Sequence, residues 1–160
     1  MLLAYGGGSV KKNGIYEQGV SILEGAGKKV FEFSGIMSNP TYAKVQEGAA
    51  LAKREHIDLI LAVGGGSVID CCKIVAAQAK TGADLWELEM EKHQFPGEAI
   101  PMGAIVTASG TGAEMNGGAV ITNEDKKIKA GMAALAPRFA ILGPEYTRSV
   151  SRMQVLSGAF

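Results

Sequence analysis

Two stretches of this chain could hold an anion with backbone alone. Gly64-Gly65-Gly66-Ser67 follows the short apolar run from Asp58 to Val63 and precedes a stretch of helical character reaching Lys80. Where Cβ atoms are missing, backbone N–H groups can come close to a ligand, and amides at a helix start form a ready anion site. The same signal occurs earlier, because LLAYGGGSV at 2–10 repeats ILAVGGGSV at 60–68 and sets Gly6, Gly7, Gly8 and Ser9 after another apolar strand. One such turn is more often a tight reversal of the chain than a phosphate site. Two of them, each between a strand and a helix, point to a dinucleotide, which has two phosphate-bearing ends to hold. Neither is a strict G-x-G-x-x-G fingerprint or a P-loop. Ser67 and Asp70 have the spacing of a capping box, with Asp in the usual Glu position, which predicts a helix starting at Ser67.

The elements that must position these turns follow from periodicity. Met1 to Tyr5 reads as a strand, and Tyr16, Val20 and Leu23 mark one face of a helix over 14–26, with Gly27 as its C-terminal cap. Val30 to Phe33 is a second strand. Ser38-Asn39-Pro40 combines a cap residue with proline at a first helical position, predicting a helix to about His56 whose inner face carries Val45, Ala49 and Ala52. The segment 81–96, where Trp86 and Leu88 alternate with acids, reads as a surface excursion of partly helical character. Ile100 to Thr107 is a strand ending on Ser109-Gly110-Thr111-Gly112, a third candidate wall for a ligand. Ala119–Thr122 and Lys127–Met132 form a hairpin, Phe139 to Leu142 is a last strand, and Ser151 to Phe160 resembles the first turns of a helix. Alternation of strand and helix argues for a parallel α/β sheet with right-handed crossovers, and in such sheets ligands collect at the carboxyl ends of strands.

Composition bounds the function. The chain has 160 residues, 47% hydrophobic, enough for one domain with a substantial core. Sixteen basic and sixteen acidic side chains cancel, so neither nucleic acid nor an anionic membrane is an expected partner. No apolar run is long enough to span a bilayer and the start lacks a secretory signal, so the chain is expected to be cytoplasmic. Cys71 and Cys72 are adjacent, which disfavours a disulfide between them and predicts buried small apolar residues.

GGGSVKKNG, SNP, LAVGGGSVID, TGAEMN with GGAVIT, and LGPEYT, in that order along the whole chain, resemble the iron-containing alcohol dehydrogenases, and within them the butanol dehydrogenase-like branch. The resemblance implies a Rossmann-like, mostly parallel sheet with helices on both faces plus a β-hairpin, of the dehydroquinate synthase-like type. It implies a cofactor-binding domain over 1–150, with 151–160 opening a helical metal-binding domain. The implied reaction interconverts alcohols with aldehydes or ketones by hydride transfer to or from a nicotinamide, while a divalent Fe or Zn polarises the substrate oxygen. Residue by residue, Gly64, Gly65, Gly66, Ser67 and Asp70 match the family's GGGSxxD motif at the pyrophosphate and nicotinamide. Thr107 and Thr111 match its T-x-x-x-T positions near adenine and ribose. Lys129 matches a hairpin lysine that reaches the cofactor, and Gly6, Gly7, Gly8 and Ser9 match the turn at the adenosine ribose. NAD-selective members tend to place an acid at about Gly7; with glycine there, and Ser9, Lys11 and Lys12 nearby, NADP is the expected cofactor and NAD the alternative.

The resemblance also marks departures. Members ordinarily have a strand pair ahead of the first GGGS, and Asp where Gly143 stands. The family's metal is held by an Asp and three His of the helical domain, the first directly after SGAF. His56 and His93 are the only histidines here and read as surface or helix-end residues, so no catalytic or metal residue is assigned to this chain. The expected activity is therefore that of a cofactor half, inactive alone. A stand-alone nucleotide-binding or assembly module is the alternative, and a glycerol dehydrogenase or dehydroquinate synthase relative a weaker third. The apolar tail from Met153 to Phe160 is expected to be exposed, favouring a homo-oligomer.

Overall fold

The computed structural model describes residues 1–148 and 150–159. Five parallel strands form the sheet at its centre, in the order β2-β1-β3-β4-β7: β1 (Leu2–Tyr5), β2 (Phe31–Phe33), β3 (Ile60–Gly64), β4 (Met102–Val106) and β7 (Phe139–Ile141). β1 and β3 lie side by side with Leu2 opposite Ile60 and Tyr5 opposite Val63, and every residue of both is buried. Burial on both faces explains why these strands read as unbroken apolar runs.

Alternate side chains serve different helices. Leu2, Ala4, Ile60, Ala62, Met102 and Ala104 join the core shared with α3 (Tyr42–Arg54) and α4 (Gly66–Lys80). Leu3, Tyr5, Leu61 and Val63 join the core beneath α1 (Ser9–Lys12) and α2 (Ile15–Gly25), which adds Val10, Tyr16, Val20 and Leu23. α4 is buried nearly all round because it packs on the sheet, on α3 and on the first strand of the hairpin β5 (Gly118–Asn123) and β6 (Ile128–Ala133). The approach of α3 is close: a Cβ at Gly48 would stand 2.8 Å from both the Phe33 ring and Val75. Cys71 and Cys72 are free and fully buried, as expected of small apolar residues.

Both histidines end helices in the left-handed conformation, φ 49° at His56 and 52° at His93. The following amides turn back, Ile57 N–H to the Ala52 carbonyl at 2.9 Å and Gln94 N–H to that of Leu88 at 2.8 Å, which closes each helix as a glycine would. They are helix-end residues, both exposed.

Three expectations need correction. α3 does not start on Ser38-Asn39-Pro40; its cap is Thr41, whose Oγ1 accepts from Lys44 N–H at 3.2 Å. Thr41 is kept extended by a parallel bridge to Thr122, and the Pro40 carbonyl accepts Thr122 N–H at 3.0 Å, so the hairpin delays the helix. α4 begins on Gly66 with Gly65 as its cap, and the Ser67–Asp70 box does not form because the Asp70 carboxylate is taken by Val120 N–H at 3.0 Å. Finally, 81–96 is only partly surface. It holds α5 (Leu85–Met90), capped by Asp84, with Leu85 and Trp86 at 1% and 2% exposure and Trp86 packed on Tyr42 at 5.4 Å. Gln78 anchors it, accepting from Leu85 N–H at 2.8 Å and the Tyr42 hydroxyl at 2.9 Å.

β7 closes the sheet as an edge strand, and a 3₁₀ turn (Pro144–Thr147) and α6 (Arg152–Ala159) follow it. Met153, Val155 and Leu156 of α6 are exposed as expected, while Phe160 lies outside the described residues. No helix among the described residues is long and apolar enough to cross a membrane.

Candidate dinucleotide site at the carboxyl edge of the sheet

The chain leaves β1 for β2 on one side and later returns to lay β3 on the other side of β1. That reversal puts α2 on one face and α3 and α4 on the opposite face, and makes the carboxyl ends of β1 and β3 the switch point at which doubly wound sheets bind ligands. Gly6-Gly7-Gly8 and Gly64-Gly65-Gly66 stand at those two ends.

One side chain joins the two turns. Val68, buried in the first turn of α4, has its Cγ2 3.5 Å from where a Cβ on Gly6 would be and 2.6 Å from a Cβ on Gly64. The glycines at both strand ends make room for this valine, a role that the GGG runs did not disclose. Gly6 is pressed from the other side too, with the Ile36 carbonyl oxygen 2.9 Å from its Cβ position, because the segment after β2 folds back through Gly35 N–H to the Gly6 carbonyl at 3.0 Å.

At the second turn, a Cβ on Gly65 would lie 3.3 Å from the Ala108 Cβ, and one on Gly66 would lie 3.4 Å from the Thr111 Oγ1. The loop after β4 therefore walls this turn, with Thr107 tied in by its N–H to the Gly64 carbonyl at 3.0 Å. Val68 and Ile69 both donate to the Gly65 carbonyl, at 3.1 and 3.2 Å, so the Gly66 and Ser67 amides precede the first intrahelical bond. They sit at the positive end of a helix of 15 residues, where an anion gains from both amides and dipole. A cleft of about 260 Å³ adjoins the β4 loop, lined by Ser109, Glu114, Gly143 and Thr147 among others. Neither this cleft nor the larger one, about 470 Å³ between Asn13, Gln18 and Tyr146, is lined by the glycines of the two turns, Thr107 or Thr111.

The other candidates are placed less directly. Gly7, Gly8 and Ser9 are exposed, and nothing lies within 4 Å of a Cβ on Gly7 or Gly8. Asp70 holds the hairpin, accepting from Val120 N–H and pairing with Lys73 at 3.5 Å. The Lys73 ammonium is wholly buried, donating to the Gly118 carbonyl at 2.7 Å and to Asn116 Oδ1 at 3.1 Å. Burial pulls its pKa down and Asp70 opposes that. Lys129 donates to Asn39 Oδ1 at 2.7 Å and to neither glycine turn. Gly143 has its Cβ position 2.8 Å from the Tyr146 ring, so an acid there would displace that ring.

Lys11 is not a loose surface cation. Its ammonium donates to Glu32 Oε1 at 2.9 Å and lies 4.6 Å above the Tyr16 ring and 5.5 Å above that of Tyr5. Tyr5 and Tyr16 also donate their hydroxyls to Glu32, the latter at 2.9 Å. Hydrogen bonding to Tyr5 first, then to Lys11, lowers the Glu32 pKa to about 2, and contacts with Tyr5 and Glu32 push Lys11 upward. This cluster escaped sequence reading because its members lie up to 27 positions apart and belong to four elements.

A five-stranded parallel sheet of this order, with bare turns on both sides of its reversal point and a hairpin packed on α4, defines a doubly wound α/β fold. The family model of the iron-containing alcohol dehydrogenases matches residues 1–144, and the chain belongs to that family. It is 45% identical over 160 residues to the probable NADH-dependent butanol dehydrogenase 1 of Bacillus subtilis. It is 39% identical over 162 residues to the NADPH-dependent aldehyde reductase YqhD of Escherichia coli. Each match covers 99% of this chain and 41% of the relative, so the chain spans less than half of their length. Its structure superposes on that of the NADH-dependent butanol dehydrogenase A of Thermotoga maritima with a TM-score of 0.93 at 43% identity, over 99% of this chain and 40% of that one.

Proposed function

We propose that this chain is the nicotinamide dinucleotide-binding part of a metal-dependent alcohol dehydrogenase, acting on an alcohol and its aldehyde or ketone. The observation that carries the reading is the pair of glycine turns at adjacent strand ends, locked to one another by Val68. The nicotinamide, when bound, supplies or accepts hydride. This chain's own residues do the holding: the Gly66 and Ser67 amides take the diphosphate, the Gly65 and Gly66 backbone leaves the space a Cβ would fill, and Thr107 and Thr111 border the adenosine side. Gly6, Gly7, Gly8 and Ser9 meet the ribose. Asp70 and Lys129 act through the hairpin they fasten.

NADP is the proposed preference, supported by the absence of an acidic side chain at Gly7, by Ser9 and by the exposed Lys12. The names of the relatives point both ways, NADH for the butanol dehydrogenases and NADPH for YqhD. No three His, Cys, Asp or Glu side chains converge on a metal site among the described residues, so no step through a metal is assigned to them. We further propose that 151–160 opens the helical domain that supplies the metal ligands, that the chain is inactive alone, and that it works in the cytoplasm.

Calorimetric titration with NADP and NAD, separately, tests the reading. Saturable binding of both, tighter for NADP, is expected, and Gly66→Val should abolish it without unfolding the protein. Aldehyde-dependent NADPH oxidation with added Fe²⁺ or Zn²⁺ should be absent; robust turnover by this chain would overturn the assignment of the metal chemistry elsewhere.

A further inference from the structure

Glu32 is the middle residue of the three-residue second strand, one position short of the strand end where an acid in a doubly wound sheet can accept from ribose hydroxyls. Here its oxygens are already engaged by Tyr5, Lys11 and Tyr16. Tyr5 directly precedes Gly6, and Lys11 is three residues beyond Gly8, so the cluster forms the underside of the first glycine turn. Both lysines following that turn are exposed, but Lys11 rests over two aromatic rings and beside a carboxylate.

We propose that Glu32 is a specificity-determining residue: by holding the Lys11 ammonium against Tyr5 and Tyr16, it withholds that charge from a 2′-phosphate and narrows discrimination between NADP and NAD. The inference rests on the dinucleotide reading above and names the pair that tunes it. An ammonium with a carboxylate at 2.9 Å and two ring faces within 5.5 Å has its charge balanced locally. Replacing the carboxylate by an amide of the same shape keeps an acceptor for one of the two tyrosines, lets the amide NH₂ donate to the other hydroxyl, and removes the counter-charge. Lys11 then becomes free to swing toward Gly7 and Gly8, where open space surrounds the backbone.

Binding of NADP and NAD to the 160-residue chain is measured by titration for wild type, Glu32→Gln, Glu32→Asp and Glu32→Gln combined with Lys11→Met. Glu32→Gln is expected to tighten NADP by roughly fivefold, the scale of one exposed ion pair, and NAD by less than about twofold. The gain disappears with Lys11→Met and in high salt, and Glu32→Asp keeps the wild-type ratio. If Glu32→Gln does not fold, Lys11→Met alone decides: the NADP to NAD ratio should stay near that of wild type, because the deleted charge was already neutralised. A Glu32→Gln protein whose two affinities move together, or a Lys11→Met protein that loses NADP, overturns the proposal while leaving the dinucleotide reading intact. A wild-type chain that binds neither dinucleotide removes that reading and this inference with it.

Discussion

Gly64 is where the two glycine turns are most sensitive to a single atom. A methyl there would stand 2.6 Å from the Val68 Cγ2, and Val68 is flanked by buried neighbours. Gly64→Ala should therefore cost about 1–3 kcal/mol in unfolding free energy, the usual range for overpacking, and denaturant melts will measure it. Gly8→Ala, with nothing within 4 Å, should leave stability nearly unchanged. Glu89 offers a pH test. It is 3% exposed, one oxygen accepts Ala133 N–H at 2.6 Å, and the other has no hydrogen-bond partner among the described residues. Burial raises its pKa above the ordinary 4.5. The folded state thus holds the Glu89 proton more tightly than the unfolded chain, and the favourable contribution is complete below 4.5 and lost as pH rises through the higher folded value. Chemical denaturation from pH 4 to 8 should show this decline in wild type and a flatter profile in Glu89→Gln.

At the scale of elements, Thr41→Ala should destabilise α3 by about 0.5–2 kcal/mol through loss of its cap, whereas Ser38→Ala, at the position favoured by local pattern, should change thermal stability little. Gly103 sets the edge of the sheet: a Cβ there would meet the Phe139 ring at 2.1 Å. Gly103→Val is expected to detach β7, seen as loss of amide-exchange protection over 139–141. The central strands were legible because burial on both faces leaves an apolar signature within each segment, and the two glycine turns because they repeat. What escaped reading depends on partners far along the chain. Thr41 caps α3 because Thr122 keeps it extended, and Asp70 abandons its own helix for an amide 50 residues away. Trp86 is in the core although acids surround it in sequence, because Tyr42 and Gln78 receive its helix. For the site, the sequence motif located the backbone turns. The joining of both by Val68, and the capture of Lys11 by Glu32, are tertiary facts with no local pattern.

Across the whole molecule, apolar side chains gather on one border. Phe139, Ile141 and Leu142 are 45%, 43% and 63% exposed on the edge strand and just beyond it. An open strand edge combined with apolar side chains favours pairing between copies. Sedimentation velocity from micromolar to tenfold higher concentration should show concentration-dependent association, and Ile141→Lys with Leu142→Glu should reduce it; a monodisperse monomer throughout would refute this.

Lys73 gives the molecule a built-in reporter. Its amine is sealed under the hairpin, whereas Lys12 and Lys129 lie in the open. An acylating reagent applied briefly to the native protein should label those two and spare Lys73, and mass spectrometry would then read the appearance of a tagged Lys73 as a direct clock for undocking of the hairpin.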